Sequence, residues 1–139
     1  MAKARKHIEL AVRVGNKPGI LGDLFSTISS AGINILAYCS YSDRDEGVVL
    51  LVTEDPIRAK DVIEVAGYNC SANSVVIVGA QDQVGAAAQL GAHLGRAGIN
   101  ILYSYASSSG SGQFCAVFKT MDDERAIEAL DEHWLAQAA

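Results

Sequence analysis

The polar segment Asn16-Lys17-Pro18-Gly19 carries the residues of this chain that are best suited to hold a small ligand. A molecule with a carboxylate and an ammonium group on one carbon needs hydrogen-bond donors and acceptors a few ångströms apart. Asn16, and Asn34 further along the chain, each offer a donor group and an acceptor group. Gly19 lets the backbone come close to a ligand, and the N–H groups that open a following helix favour a carboxylate. These residue types predict the binding of a small zwitterion.

The same residues have an alternative, purely structural interpretation. Asn16 stands where the cap of a helix is expected, and Asn34 could satisfy backbone groups at the edge of a strand. Pro18 fixes the direction from which the chain approaches the helix. The two interpretations are compatible with each other, and both stay open.

Other reactive side chains lack the spacing that catalysis or metal binding requires. His7, His93 and His133 share no ligand spacing, and no serine stands in a G-x-S-x-G setting. The three cysteines contain no C-x-x-C pair, and two of them lie in apolar runs. We therefore expect no catalytic residue, no metal site, no disulfide framework and no cofactor.

Composition and charge are those of a small globular protein. The chain has 139 residues, of which 50% are apolar and 19% are charged, enough for one ordinary domain or two very small ones. A net charge of −5 argues against nucleic-acid binding, which needs a concentrated basic face. We interpret the basic cluster of Lys3, Arg5 and Lys6 as a solvated tail. No apolar run approaches the ~20 residues that span a membrane and the start lacks a signal-peptide core, so a cytoplasmic location is expected.

An internal repeat organises the chain. The hexapeptide Ala-Gly-Ile-Asn-Ile-Leu occurs at residues 31–36 and again at 97–102, an offset of 66 residues. The same offset carries the apolar run 48–52 onto 114–118. One unit is therefore duplicated, and the chain length corresponds to two small domains.

Each copy follows the same order of strand and helix periods. In the first copy, the predicted elements are a strand at 8–14, a helix from Ile20 that ends at Gly32, strands at 33–41 and 48–53 joined by a polar turn, a helix opened by Pro56 with Ile57, Val62 and Ile63 on its inner side, and a strand at 68–74. The order βαββαβ predicts an α+β, ferredoxin-like unit, with an antiparallel sheet and helices on one face.

The second copy departs from this plan in two places. Few residues remain after its second helix, so its last strand is expected to be short or missing. Its first helix carries Ala87, Gly91 and Gly95 on one ridge, where each glycine costs helix stability. The ridge could pack tightly on its own sheet, or it could contact a helix of another unit or subunit.

The third strand of each copy is apolar on both of its alternating faces. An antiparallel sheet with one face in water would show alternating apolar and polar residues instead. Tyr38, Tyr41, Tyr103 and Tyr105 on the second strands have rings that suit an interface. We therefore expect the far side of each sheet to be covered, either by the sheet of the other unit or by another chain. We also expect at least a homodimer.

The residues around the polar segment resemble a known family. The run Val14-Gly15-Asn16-Lys17-Pro18-Gly19-Ile20-Leu21, followed by Ala31-Gly32-Ile33-Asn34-Ile35, is similar to the signature of ACT domains, the amino-acid-sensing regulatory modules of many biosynthetic enzymes. The resemblance covers nearly all of the chain as two tandem copies, 7–73 and 74–139, like small stand-alone proteins made of an ACT pair. In the second copy, Asp82 stands for Asn16 and Val84 for Pro18. The family usually has an acidic residue at the position of Asn16.

The resemblance also implies where a ligand would bind. In ACT families the ligand usually lies between two domains, held by this loop from one domain and by the second strand of its neighbour. The implied ligand-binding residues are Asn16, Lys17, Pro18, Gly19, Ile20 and Leu21, facing Asn34 and Ile35 or their second-copy equivalents Asn100 and Ile101.

Together these observations predict a non-catalytic regulatory protein that binds a small molecule, above all a free amino acid, and acts on another protein such as a biosynthetic enzyme. The alternative is a regulatory or structural subunit that binds no ligand and acts through protein contacts of its sheet faces.

Overall fold

The computed structural model describes residues 3–131, which fold into six strands and four helices. The strands are β1 (Lys3–Gly15), β2 (Ile35–Asp43), β3 (Glu46–Thr53), β4 (Asn69–Gln81), β5 (Ile101–Ser108) and β6 (Gln113–Thr120). The helices are α1 (Ile20–Ser30), α2 (Pro56–Val65), α3 (Ala86–Arg96) and α4 (Asp123–Ala129). Every element predicted for the first copy is present, and β1 and β4 are longer than expected.

Two compact units divide the chain, and β1 and β4 contribute to both of them. The first unit is Ile8–Asn73. The second unit joins the residues up to His7 to those from Ser74 onward, so it is discontinuous in sequence.

The first unit is a two-layer α+β structure. Its antiparallel strands lie in the order β2-β3-β1-β4, and α1 and α2 cover one face. Period-two alternation turns Leu10 and Leu51 toward the helices, where they pack with Leu24, Ile28 and Ile63, all 0% exposed. The predicted ferredoxin-like βαββαβ unit is confirmed.

The second unit repeats this plan with a different fourth strand. Its strands lie in the order β5-β6-β4-β1, so residues 3–7 of β1 occupy the position that β4 holds in the first unit. Ala4 packs against the core of this unit, and Lys6 forms an ion pair of 3.5 Å with Glu124. Up to residue 131 no strand follows α4, and a short strand later in the chain would lie outside the described residues.

The basic amino-terminal segment is therefore a strand, and its interpretation as a solvated tail is wrong. An unpaired edge of β4 would leave backbone N–H and C=O groups without partners over the apolar core. Pairing with residues 3–7 satisfies them, and this benefit outweighs the polar character of the segment.

The repeat shifts by one residue at the third strand. Ile35 pairs with Thr53 and Ile101 with Thr120, so the offset is 66 in the second strands and 67 in the third. The turn between β5 and β6 is one residue longer than its counterpart. The expected match of 48–52 with 114–118 is therefore wrong by one residue, which would exchange the two faces of the strand.

The helix starts also differ from expectation at one position. Asn16 does not cap α1, because the helix begins at Ile20 and Gly19 holds the cap position without a side-chain hydrogen bond. By contrast, Asp55 and Asp122 cap α2 and α4 through side chains that accept from backbone N–H groups three residues on.

One predicted inward residue of α2 faces the solvent instead. Ala59 and Ile63, one turn apart, are both 0% exposed and define the buried side of the helix. Ile57 is 80% exposed because it lies two positions from Ala59 and so on another side of the helix. The expectation that Ile57 faces the core is wrong, whereas that for Ile63 is confirmed.

The small-residue ridge of α3 faces outward, so its tight packing on the sheet is excluded. The buried side of α3 consists of Ala86, Leu90, His93 and Leu94. Gly91 is exposed, and a Cβ added there would meet no heavy atom within 4 Å.

We expect Gly91→Ala to raise the free energy of unfolding by about 0.5–1 kcal/mol, because alanine has the higher helix propensity and finds open space. Thermal or chemical denaturation measures this change. Gly85→Ala is the matched control and should destabilise, because Gly85 has a φ of 90°. A lower melting temperature for Gly91→Ala would mean that the ridge is covered in solution.

The side chains of β3 that point away from the helices are buried as well. Val48, Leu50 and Val52 are 5%, 8% and 0% exposed. Both faces of this strand are therefore apolar and buried, and the homodimer stays a prediction.

Candidate functional site

The polar segment after β1 forms a tight turn that leads directly into α1. The N–H of Ile20 donates to the carbonyl of Lys17 over 3.4 Å, which closes a four-residue turn with Pro18 and Gly19 at its centre. Gly19 has φ 87° and ψ −11°, the values of the third residue of a type II turn, in which proline is common at the second position. The N–H of Asn16 bonds to the carbonyl of Asp45, 3.4 Å away, which fixes the loop beside the β2–β3 turn.

The glycine of this turn is required by backbone conformation. A Cβ at Gly19 would meet no heavy atom within 4 Å, so no close neighbour excludes a side chain there. A positive φ is strained for any residue with a Cβ. Gly19 therefore shapes the loop, and the expected close approach of its backbone to a ligand is not needed to explain it.

A small pocket of about 210 Å³ opens between the loop and the hairpin of β2 and β3. Its polar side chains come from the loop and from β2, and its apolar lining includes Val14 and Val49 of the core. Its lining residues are Val14, Asn16, Ile20, Leu21, Ser40, Tyr41, Ser42, Gly47, Val48 and Val49. We call it the loop pocket.

Three of the sequence-predicted residues line the loop pocket, and three shape it. Asn16, Ile20 and Leu21 are in the lining, whereas Lys17, Pro18 and Gly19 form the turn beside it. The N–H groups of Leu21 and Gly22 have no backbone acceptor among the described residues, as expected for the first turn of a helix. These N–H groups can donate to a carboxylate, and the side-chain oxygen of Asn16 can accept from an ammonium group.

Ser40, Tyr41 and Ser42 complete the pocket and were not among the predicted site residues. They lie at the end of β2, opposite Val49, Val48 and Gly47 of β3. The predicted hairpin offered a signal for them, because β1 and β2 are both antiparallel to β3 and so end at the same edge of the sheet.

The second-strand residues of the implied site lie elsewhere in the first unit. Ile35 pairs with Thr53 at one end of β3, while the loop pocket lies at Gly47, about 20 Å away by strand geometry. The carbonyl of Asn34 accepts from the N–H of Glu54, 3.1 Å away. A single unit therefore does not bring Asn34 and Ile35 to its own loop.

The corresponding loop of the second unit is closed by a side-chain contact. Gln83 and Ala86 form the same turn, with Gly85 at φ 90°. The hydroxyl of Ser108 donates to the carboxylate of Asp82, and these residues correspond to Ser42 and Asn16 of the first unit. No such bond joins Asn16 to Ser42, so the polar groups of the first loop stay available.

The predicted second-copy residues repeat the placement of their first-copy equivalents. Asn100 precedes β5, and its carbonyl accepts from the N–H of Met121 over 3.0 Å. Ile101 pairs with Thr120 at the far end of β6 from the turn. Within the second unit, neither residue lies at the loop that carries Asp82.

In the second unit, the buried carboxylate of Asp123 and its polar partners connect elements of the fold. Asp123 is 8% exposed, accepts from the hydroxyls of Ser74 (2.6 Å) and Thr120, and lies 3.8 Å from the ammonium of Lys119. Burial acts to raise the pKa of Asp123, but these hydrogen bonds and the positive charge outweigh it and hold the pKa below its ordinary value. The ionised carboxylate joins α4 to β4 and β6.

The lowered pKa of Asp123 predicts acid sensitivity. A carboxyl group whose pKa is lower in the folded state stabilises the fold above its unfolded pKa of about 4, and this contribution is lost as pH falls through the folded value. We expect Asp123→Asn to cost about 1–3 kcal/mol at neutral pH and progressively less in acid. Melting temperatures of both proteins against pH measure this, and parallel curves would contradict it.

The described part of the chain contains neither a metal-binding cluster nor a helix that could span a membrane. Between residues 3 and 131, no three His, Cys, Asp or Glu side chains are grouped so that they could hold a metal ion. None of the helices in this range is long and apolar enough to cross a membrane.

Comparisons with known proteins agree with the fold of the two units. A protein of Bacteroides thetaiotaomicron has a similar structure, with a TM-score of 0.85, 23% identity and coverage of 93% of this chain and 89% of the other. The ligand-free regulatory subunit of aspartate kinase from Thermus thermophilus matches with a TM-score of 0.68, 16% identity and 91% of each chain. Comparison with curated protein sequences finds no match. The model of the ACT domain pair matches residues 6–137, and this chain belongs to that family.

Proposed function

We propose that this chain is a non-catalytic regulatory protein that binds a free amino acid in the loop pocket of its first unit. The observation that carries the proposal is a small, partly apolar pocket lined by Asn16 and by Leu21 of the first turn of α1, whose N–H has no backbone acceptor in the described part of the chain. Similar folds that are described as regulatory subunits of aspartate kinase support a role in controlling an enzyme.

The dimensions of the loop pocket favour a short side chain. Its volume of about 210 Å³ lies below the ~300–1,000 Å³ of pockets for drug-sized ligands. Ser40 and Ser42 supply hydroxyl groups at its rim. We therefore expect glycine, alanine or serine to bind more tightly than phenylalanine or tryptophan.

A calorimetric screen of the twenty amino acids against the full chain tests this function. We expect saturable binding of at least one small amino acid. Asn16→Ala should weaken it about tenfold or more, because a polar group of the ligand is left without its partner. Asp82→Ala in the second unit is the matched control and should leave the affinity unchanged. Binding that is weakened by Asp82→Ala but not by Asn16→Ala would place the site in the second unit and contradict the proposal.

The alternative function, a subunit that binds no ligand, is the outcome if no amino acid binds. We also propose a homodimer, now supported by the edge strand β2 rather than by the sheet faces. Leu36, Tyr38 and Tyr41 on this strand are 43%, 51% and 53% exposed, and a strand edge of this kind pairs readily with another chain. A second chain could bring Asn34 and Ile35, or Asn100 and Ile101, to the loop pocket. Sedimentation of a single 14.6 kDa species at micromolar concentration would contradict the dimer.

A further inference from the structure

A second and larger cavity lies in the first unit, beside α2 and away from the loop pocket. It has a volume of about 550 Å³, within the range of small-molecule sites. Its lining residues are Ile8, Leu10, Asp55, Pro56, Ile57, Arg58, Lys60, Asp61, Glu64 and Ala72. We call it the α2 groove, and it shares no residue with the loop pocket.

The α2 groove combines an apolar floor with charged walls. Ile8, Leu10 and Ala72 come from β1 and β4, and Ile57 from α2 is 80% exposed. An apolar side chain placed on this floor would remove Ile8 and Ile57 from water, which is favourable in proportion to the area buried.

Two of the charged residues in the wall are available to a ligand. Lys60 and Glu64 form an ion pair with each other, and the carboxylate of Asp55 accepts from the N–H of Arg58. Among the described residues, no hydrogen bond or ion pair engages the guanidinium of Arg58 or the carboxylate of Asp61, although the charge of Asp61 acts on the neighbouring Lys60. They are three positions apart on the helix, so they lie side by side on its surface.

In the second unit, the residues that correspond to the walls of the α2 groove are paired with each other. Arg125 and Glu128, the counterparts of Arg58 and Asp61 after the cap of α4, form an ion pair of 3.9 Å. Ser74 and Asp123, at the positions of Ile8 and Pro56, are joined by a hydrogen bond of 2.6 Å. The longer side chain of glutamate reaches the arginine, whereas Asp61 is one methylene shorter.

We propose that the α2 groove is a second ligand site, one that takes a free amino acid with a branched apolar side chain. Arg58 binds the α-carboxylate through its two parallel N–H groups, Asp61 binds the α-ammonium, and the side chain of the ligand rests on Ile8 and Ile57. The site requires both charges of the zwitterion at once, because each would otherwise leave one wall charge unpaired. It is independent of the function proposed for the loop pocket.

Titration of L-leucine into the isotope-labelled full chain, followed by NMR, tests the site. We expect saturable shifts of the backbone amides of residues 57–61 and of Ile8. Leucinamide, which lacks the carboxylate, and 4-methylpentanoate, which lacks the ammonium, should each bind at least about tenfold more weakly. Arg58→Gln and Asp61→Asn should weaken leucine binding to a similar degree.

Two further variants distinguish specific binding of leucine in the α2 groove from a general effect of the protein's charge. Asp61→Glu keeps the charge but extends the side chain to Arg58, as in the second unit, and should also weaken binding about tenfold. Arg125→Gln is the matched control and should change nothing. Leucine shifts confined to residues 14–21 and 40–49, or absent altogether, would overturn the α2 groove site. Binding at the groove without any amino acid at the loop would overturn the proposed function alone.

Discussion

Deletion of residues 1–7 is expected to unfold the second unit while the first unit keeps its structure. Residues 3–7 form the edge strand that completes the second sheet, and Ala4 covers part of its core. Losing several backbone hydrogen bonds of about 1 kcal/mol each, together with this burial, should cost about 3–5 kcal/mol. Amide hydrogen exchange resolves the two units, with faster exchange expected in β5, β6 and α3 and little change at β2 and α1.

Charge removal provides the control for this deletion. Lys6→Gln keeps the strand and removes only an exposed ion pair with Glu124, so it should cost less than about 1 kcal/mol. A truncated chain that melts like the intact one would show that residues 3–7 do not hold the second sheet together.

Gly19→Val is expected to abolish most of the affinity of the loop pocket. Valine is strongly disfavoured at the φ of 87° that the type II turn requires, so the turn must change shape and displace Asn16 and Ile20. We expect a loss of about 1–3 kcal/mol in stability and at least about tenfold in affinity for the amino acid, measured by denaturation and calorimetry.

The duplicated chain contains the matched control for this substitution. Gly85 holds the same turn in the second unit with a φ of 90°. Gly85→Val should therefore cost a similar stability and leave the affinity unchanged. Equal losses of affinity in both variants would mean that the effect is a general loss of structure.

Local periodicity was sufficient to predict most of the fold. Ile20, Leu24 and Ile28 at helical spacing and the alternation from Ile8 to Val14 mark α1 and part of β1 correctly. The role of residues 3–7 could not be read in this way, because their partner strand is some seventy residues distant and the need for them arises only in the completed sheet. The outward orientation of the ridge on α3 could not be predicted either, because a row of small residues does not indicate which side of its helix is buried.

The candidate site was predicted only in part, for a similar reason. Pro18 and Gly19 predict a turn by their residue types, because few other residues adopt the dihedral angles that the turn requires. Ser40 and Ser42 carry no such signal, and only the pairing of β2 with β3 brings them to the loop. Asn34 is expected at the loop of a neighbouring domain, and the antiparallel sheet places it at the opposite end of its own unit from Asn16, so its role in binding stays a prediction.

The most direct test of the central claim is an NMR titration of the isotope-labelled full chain with glycine, alanine and serine. Binding in the loop pocket predicts saturable shifts of the backbone amides of Asn16, Leu21 and Ser42, with the amides of Asp82 and Ser108 unchanged. The same titration of Asn16→Ala should show weakened shifts at these positions. Saturable shifts at Asp82 and Ser108 instead, or no shifts with any of the three amino acids, would contradict the assignment of the first loop as the amino-acid site.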